Sequence, residues 1–284
     1  MTIIGICHRT DSFTSGKIIG SLSNDHTLQI KPLTILEKKQ IQKIVDQPFY
    51  YLDRGRQSFV FESADHRFVL KFFNYNRYRI PYFLEKFCHY TFLRFVVTDA
   101  YFHKLSRKKA RLDNTFKAYK LAYDFLPDET GIKFIQFYKN THWNQEVLLL
   151  NKIGSKIRID LDKVCFVLQE KAVSMPEAFS KISFDENSSL ETAIFSLLHT
   201  ISTRLKKGIM DSDIKVTANY GFLGDRAVFM DPGRITLKKD MDFSEYSDQL
   251  YTSTYSFRNY LADSYPDMLD YYDFLYSQFL EDFQ

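Results

Sequence analysis

The feature that most constrains the fold is an amphipathic pattern at residues 188–208. Its apolar side chains recur three and four positions apart, at Leu190, Ile194, Leu197, Leu198, Ile201 and Leu205. This is the spacing of one helix face. Ser188 and Glu191 stand where a capping box would begin the helix, and Gly208 is placed to end it. The sequence therefore predicts one well-formed helix with a buried face, followed at once by a polar stretch.

Length and composition are those of a folded protein with an ample core. The chain has 284 residues, of which 45% are hydrophobic and 17% aromatic. That is enough for one large domain or two modest lobes, and we expect most aromatic side chains in the core. The cysteines, Cys7, Cys88 and Cys165, offer neither a disulfide framework nor a CxxC pattern. This favours a reducing cytoplasm.

No membrane-targeting or membrane-spanning element is predicted. Residues 1–17 lack a basic region followed by an apolar core, so we expect no secretory signal. The aromatic-rich residues 81–102 include four charged side chains, at Glu85, Lys86, Arg94 and Asp99. Because such charges are costly at the centre of a spanning helix, we expect no transmembrane segment.

The net charge of +3 is unevenly distributed along the chain. Residues 54–120 hold 15 Lys and Arg against 5 Asp and Glu, a net +10, whereas residues 240–284 hold one Arg against 10 Asp and Glu, a net −9. The basic segment could attract nucleic acid or an acidic surface, or the two segments could face each other or be solvated. No nucleic-acid-binding motif is recognisable, so no nucleic-acid partner is expected.

Ahead of the long helix, the sequence predicts an extension, a β-hairpin, helices and further strands. Residues 1–47 form the extension, with a helix at 34–47. Residues 49–73 alternate as strands around a Ser-Ala-Asp-His turn. Helices over 78–126, broken near 104–113, come next. They are followed by strands and one short helix, at 131–138, 146–154, 163–170 and 175–182.

The polar stretch at residues 206–234 is rich in carboxylates and amides, at Asp211, Asp213, Asn219 and Asp231. Asp213 and Asn219 are predicted on a loop between the long helix and a strand, and Asp231 just past the end of that strand. Loop side chains displayed on rigid elements commonly carry chemistry. Carboxylate and amide oxygens are the hard ligands that Mg²⁺ prefers. A calcium loop is excluded, because Val216 and Phe222 replace its required glycine and glutamate.

The order of these elements resembles that of the protein-kinase-like fold. Residues 208–215, Gly-Ile-Met-Asp-Ser-Asp-Ile-Lys, match the register of the kinase catalytic loop, with Asp213 on the catalytic aspartate and Lys215 on the loop lysine. Asn219 falls on the metal-binding asparagine. Asp231 opens an Asp-Pro-Gly run that falls on the Asp-Phe-Gly triplet.

The N-terminal half carries the rest of the resemblance. The strand at residues 68–73 is similar to the kinase strand that holds the phosphate-binding lysine, here Lys71. The preceding strand and its turn resemble a degraded glycine-rich loop that keeps Gly55 and Val60. Glu170 belongs to the segment that would form the adenine-side hinge. The acidic partner of Lys71 is either Glu85 or Asp113, and the sequence does not decide between them.

The resemblance implies an α+β, two-lobed protein-kinase-like fold with a β-rich N-lobe and a small, mainly helical C-lobe. The lobes would span residues 48–170, with a helical insertion, and residues 171–284. It further implies an atypical ATP- and Mg²⁺-dependent phosphotransferase, similar to lipopolysaccharide-type sugar kinases, with Asp213 as base. The acceptor, whether a small molecule, a lipid-linked sugar or a protein, is left open.

Several departures keep other functions in view. Asp211 and Ser212 replace the kinase His-Arg pair, and the interval from Asp213 to Asn219 is one residue longer than the pattern. The glycine-rich loop has lost two of its three glycines, and no Ala-Pro-Glu signature follows Gly233. The alternative is therefore a pseudokinase, an interaction scaffold that binds nucleotide weakly or not at all. Transfer of AMP on the same fold and a sugar-nucleotide transferase also stay open.

Overall fold

The computed structural model describes residues 13–20, 22–55, 57–78, 94–139, 142–182, 187–213 and 215–283. The chain divides into two compact units. Unit 1 is Met1–Lys117 with Phe134–Leu168, and unit 2 is Ala118–Lys133 with Gln169–Gln284. The three-segment division predicted from the sequence, at 47/48 and 170/171, stays a prediction.

Unit 1 is built around a seven-stranded sheet with the strand order β4-β7-β3-β2-β1-β5-β6. The strands are β1 Phe49–Arg54, β2 Ser58–Ser63, β3 Phe68–Phe73, β4 Ile132–Gln136, β5 Glu146–Leu150, β6 Lys156–Asp160 and β7 Phe166–Glu170. The β1–β2, β2–β3 and β5–β6 pairs are antiparallel, whereas β1 and β5 run parallel. The predicted hairpin and the three later strands are confirmed.

Aromatic side chains fill the interior of unit 1, as predicted. Phe59 and Phe61 alternate inward on β2 and are fully buried, and the ring of Phe13 packs edge-on against both, at 5.1 and 4.9 Å. Phe116 and Phe137 stack with ring centroids 4.3 Å apart. Such contacts add to the burial of large apolar area and hold the sheet against its covering helices.

The helices of unit 1 include two short segments and one long element. They are α1 Ser15–Ile18, α2 Ile35–Val45 and α3 Arg94–Phe125, the last of which continues into unit 2. A capping box between Thr34 and Glu37 begins α2. Ile41 and Val45 form its buried face, whereas Ile35 in its first turn is 78% exposed.

The predicted break near residues 104–113 is wrong. Helix α3 runs without interruption from Arg94 to Phe125. The run holds neither Gly nor Pro, and its polar side chains point to solvent while Leu105 and Leu112 stay buried two turns apart. A dense run of charges therefore marks an exposed helix face, not a loop. Residues 79–93, where further helix was predicted, lie outside the described residues.

Unit 2 combines helices with two small sheets. Its helices are α4 Pro127–Thr130, α5 Met175–Lys181, α6 Asn187–Lys206, α7 Val216–Asn219, α8 Phe243–Ser264 and α9 Leu269–Glu281. Its strands are β8 Val173–Ser174, β9 Ile209–Asp211, β10 Tyr220–Leu223, β11 Arg226–Phe229 and β12 Ile235–Leu237. The sheets have the orders β11-β10-β8 and β12-β9. The predicted α+β class, β-rich first and mainly helical later, is confirmed.

The long predicted helix is α6, and its end is set by glycine. Gly208 has φ +71°, and its N–H donates to the carbonyl of Leu205 at 2.8 Å. A Cβ at this position would lie 2.4 Å from the carbonyl oxygen of Lys238, so only glycine fits. At the other end, the helix includes Asn187, so Ser188 lies inside it and the capping box predicted there is wrong.

Within the part of the chain that the structure describes, no helix is long and apolar enough to cross a membrane.

Candidate functional site

Strands β10 and β11 bring Asn219 and Asp231 to the same end of a hairpin. Tyr220 and Phe229 are the last paired residues there. Just beyond them, the N–H of Met230 donates to the carbonyl of Asn219 at 2.7 Å. Asn219 ends α7, and Asp231 follows Met230. The two candidate metal ligands are therefore neighbours at the open end of this hairpin.

The β9–β12 pair places the predicted base beside an arginine. Asp211 pairs with Ile235 in this small sheet. The N–H of Ser212 donates to the carbonyl of Arg234 at 3.5 Å. One residue further, the guanidinium of Arg234 lies 3.2 Å from Oδ2 of Asp213, and both side chains are partly exposed, at 46% and 30%. The carboxylate of Asp213 is thus held by a cation from the neighbouring strand.

The side chain of Asn219 ties these two pairs of strands together. Its Nδ2 donates to the backbone carbonyl of Asp213 at 3.0 Å. The N–H of Asp213 in turn donates to Oδ1 of Asp211 at 2.9 Å. The interval from Asp213 to Asn219, one residue longer than the kinase pattern, contains the helical turn α7. In this turn the carbonyl of Lys215 accepts the N–H groups of Ala218 and Asn219. Lys215 itself is exposed.

Asp231 is oriented from helix α3. The hydroxyl of Tyr119 donates to Oδ1 of Asp231 at 3.0 Å. Tyr119 is 4% exposed, and burial, together with the nearby Asp231 carboxylate, raises its pKa well above the ordinary value. The phenol therefore stays protonated and donates. Among the described residues, the other oxygen of Asp231, Oδ2, makes no hydrogen bond.

Asp211 is the most buried carboxylate of the group. It is 7% exposed, and burial raises its pKa to about 6, with Asp213 and Asp231 contributing in the same direction. The N–H of Asp213 and the charge of Arg204 act against this rise. Arg204 is itself 1% exposed and donates to the carbonyl of Ile209 at 2.8 Å. A buried cation thus lies beneath the loop that carries the carboxylates.

In unit 1, Val60 and Lys71 stand directly opposite each other in the β2–β3 register. Opposed residues of an antiparallel pair point to the same face, and both side chains are half-buried. Gly55 lies in the turn between β1 and β2 and is exposed. Asp113 is exposed on α3, whereas Glu85 lies outside the described residues, so the acidic partner of Lys71 stays open.

The side chain of Glu170 is engaged within unit 2. Its Oε2 lies 3.1 Å from the ammonium of Lys133 and 3.4 Å from the guanidinium of Arg226. Its backbone N–H donates to the carbonyl of Gly131 at 2.9 Å. The carboxylate therefore links β7 to the segments that carry Lys133 and Arg226. The predicted role of Glu170 at the adenine-side hinge stays a prediction.

Two contacts in this site were not predicted from the sequence. Arg234 follows the Asp-Pro-Gly run directly, so its nearness to a carboxylate cluster offered a weak signal. Tyr119 lies 112 positions from Asp231, and nothing in the local pattern of α3 marks it. Both residues were missed because strand pairing and helix packing, which bring them to the carboxylates, are tertiary events.

Comparison with known proteins finds similarity among solved structures alone. No protein-family model matches the sequence, and no curated protein sequence matches it. A structure of WbdD shares 14% identity over 81% of this chain and 44% of its own, with a TM-score of 0.40. Another, described as the bifunctional kinase-methyltransferase WbdD, shares 15% over 80% of this chain and 42% of its own, with a TM-score of 0.37. Rv3197 from Mycobacterium tuberculosis, in complex with erythromycin, shares 13% identity over 72% of this chain and 53% of its own, with a TM-score of 0.32.

This chain thus spans less than half of the WbdD chains and about half of Rv3197. These likenesses are too weak to carry an argument by themselves, and the order of the elements is what bears on the predicted kinase resemblance. Four predicted features occur in the predicted order: the lysine-bearing hairpin, the long helix, the carboxylate loop and the Asp-Pro-Gly turn after β11. The predicted pairing of the hairpin strands β2 and β3 is confirmed.

The oxygen donors suit a magnesium ion that is shared with a phosphate. Among the described residues, no group of three or more His, Cys, Asp and Glu side chains is arranged to hold a metal by itself. Asn219 uses its Nδ2 on Asp213, which leaves its amide oxygen for a ligand, and Asp231 keeps Oδ2. Magnesium commonly takes one or two protein oxygens and completes its shell with phosphate oxygens and water. The residues present fit such a site.

Proposed function

We propose that the protein is an ATP- and Mg²⁺-dependent phosphotransferase that acts on a hydroxyl acceptor. The observation that carries this proposal is the hydrogen-bonded unit formed by Asp213, Asn219 and Asp231. The side chain of Asn219 donates to the backbone carbonyl of Asp213. Its backbone carbonyl accepts the N–H of Met230, the residue before Asp231. A base and two metal ligands are therefore fixed relative to one another, which is the positioning that phosphoryl transfer requires.

Asp213, Asn219 and Asp231 each have a defined task in the proposed reaction. Asp213 accepts the proton of the acceptor hydroxyl as the new oxygen–phosphorus bond forms. The bond from the γ-phosphorus to the bridging oxygen breaks, and ADP leaves. Asn219 and Asp231 would hold Mg²⁺, which neutralises charge on the phosphate oxygens. The exposed ammonium of Lys215 offsets negative charge near the acceptor. The role of Lys71 as the phosphate-binding lysine stays a prediction from the sequence.

The nature of the acceptor is a finer part of the proposal. A small molecule, a lipid-linked sugar and a protein are all hydroxyl donors that the partly exposed Asp213 could serve. Screening of acceptors becomes informative once nucleotide binding is established.

The first test is the shift in melting temperature on addition of Mg²⁺ and ATP. A ligand that binds only the folded state stabilises it by about 2.7 kcal/mol at one hundred times its dissociation constant. We expect a Mg²⁺-dependent rise for the wild type and none for Asp231→Ala. Asp225→Ala is the matched control, because Asp225 is an exposed carboxylate in the turn at the opposite end of the same hairpin. Absence of any shift in folded wild type at millimolar ATP would overturn the proposal.

A pseudokinase is the second candidate, and one contact favours it. The Arg234 guanidinium already occupies Oδ2 of the Asp213 carboxylate, as it would in a scaffold that performs no proton transfer. The two functions differ in turnover. A phosphotransferase consumes ATP in the presence of an acceptor and loses this activity in Asp213→Asn, whereas a pseudokinase binds nucleotide weakly or not at all and does not consume it.

A further inference from the structure

Helix α3 carries a continuous stripe of positive charge. Its members are separated by three and four residues, at Lys104, Arg107, Lys108 and Arg111. At 100° per residue they fall within an arc of about 100°. Lys104, Arg107 and Arg111 are exposed and Lys108 is half-buried. We call these four residues the basic stripe.

The helix is anchored so that the basic stripe keeps a fixed direction. Leu105 and Leu112 are buried, at 7% and 6% exposure, on the neighbouring side of the helix, and the hydroxyl of Thr115 donates to Oε1 of Gln57 at 3.2 Å. The acidic residue Asp113 lies nine positions from Lys104, which places it on the opposite side of the helix. Among the described residues, no carboxylate forms an ion pair with any member of the stripe.

Such a stripe is unfavourable for the helix by itself. Lys104 and Lys108 are like charges four positions apart, and so are Arg107 and Arg111. Each such pair destabilises a helix by a few tenths of a kcal/mol. The Lys104–Arg107 and Lys108–Arg111 pairs, three positions apart, add to this repulsion. Repulsion of this kind is relieved when an extended anion lies along the helix.

We propose that the basic stripe docks on an anionic lipid surface. A straight helix presents its cations in one line, which matches a flat layer of negatively charged headgroups. The exposed residues between members of the basic stripe are Ser106, Lys109 and Ala110. None of them is aromatic, so they offer no ring on which a nucleic-acid base could stack. This inference does not depend on the proposed phosphotransferase activity.

The test is co-sedimentation of the full chain with vesicles. One set is pure phosphatidylcholine, and the other contains roughly one third phosphatidylglycerol, which supplies the anionic surface. The stripe variant is K104Q/R107Q/K108Q/R111Q. The charge-matched control is K39Q/K43Q/K156Q/R158Q, which neutralises four exposed cations of α2 and β6 in the same unit. Both variants are first compared with the wild type by circular dichroism and melting temperature.

We expect the wild type and the control to bind the anionic vesicles alone, and binding to weaken with salt. The stripe variant should bind at least ten-fold more weakly, since one cation near an anionic leaflet contributes a factor of about five. Equal binding by the two variants, or no binding of wild type at low salt, overturns the proposal. If a random DNA duplex binds tighter than the vesicles and depends on the same four residues, the partner is a nucleic acid and the lipid assignment is wrong.

Discussion

The guanidinium of Arg234 lies 3.2 Å from the carboxylate of Asp213, and the antiparallel pairing of β9 with β12 puts it there. Asp213 and Asp231 both lie close enough to Asp211 for their charges to raise its pKa. Arg234 is therefore the exposed cation that offsets a cluster of three carboxylates from the solvent side. Arg204 offsets it from the buried side.

Removal of Arg234 should strengthen metal binding. Arg234→Ala leaves the three carboxylates with less positive charge nearby, so we expect Mg²⁺ to bind about two- to five-fold more tightly, in keeping with a screened surface pair. Isothermal titration with Mg²⁺ alone measures this. Lys239→Ala, which removes an exposed cation nearby in sequence, should leave the affinity within two-fold of wild type by the same reasoning. Weaker Mg²⁺ binding in Arg234→Ala would contradict the electrostatic role.

Neutralising Asp211 should stabilise the protein at neutral pH. Burial raises the pKa of Asp211 from 3.8 to about 6, so the folded state binds its proton more tightly than the unfolded state does. The folded state therefore loses stability as the pH rises from the unfolded to the folded pKa. Asp211→Asn still offers an oxygen to the N–H of Asp213 but carries no charge. We expect it to be more stable than wild type above pH 7, by roughly 3 kcal/mol at most.

Urea unfolding of both proteins across the acid range provides the measurement. Below the ordinary pKa of 3.8 both side chains are neutral, and the difference in the free energy of unfolding should disappear. A difference that stays constant with pH would mean that packing, not ionisation, separates the two proteins.

Loss of the Tyr119 hydroxyl should weaken the metal site without unfolding the chain. Tyr119→Phe removes the donor to Asp231, and because Asp231 is exposed its oxygen regains water. We expect a stability loss of about 1 kcal/mol, in the range for a single hydrogen bond. The Mg²⁺·ATP-induced melting shift should shrink without vanishing. Tyr255→Phe, which removes an exposed hydroxyl from α8, is the comparison, and equal shifts in the two variants would exclude an orienting role for Tyr119.

Alanine should be far more costly at Gly208 than at Gly224. Both glycines have positive φ, at +71° and +60°, and an alanine there costs about 1–2 kcal/mol from the backbone alone. At Gly208 the added Cβ also meets the carbonyl of Lys238 at 2.4 Å, whereas at Gly224 it meets nothing within 4 Å. We expect Gly208→Ala to lose at least about 1 kcal/mol more than Gly224→Ala. Chemical denaturation measures both, and equal losses would show that the loop after α6 adjusts freely.

Local patterns in the sequence determined most of the regular elements. The lysine-bearing hairpin, the later strands, α5 and the body of α6 follow from alternation, helical spacing and turn residues, which depend on neighbours in sequence. The resemblance to the kinase catalytic loop singled out Asp213, Asn219 and Asp231 by their order, although the interval from Asp213 to Asn219 is one residue longer than the pattern. Such reasoning failed at residues 104–113, where a break was predicted although no Gly or Pro there interrupts the helix.

Only the tertiary structure decided what surrounds those residues. Asn219 holds Asp213, Arg234 pairs with it, and Tyr119 reaches Asp231 across 112 positions of sequence. These contacts arise when strands pair and when α3 passes the Asp-Pro-Gly turn. The physical reason is that helix and strand periodicity depends on residues a few positions apart, whereas a hydrogen bond or ion pair depends on distance in space, which the fold alone sets.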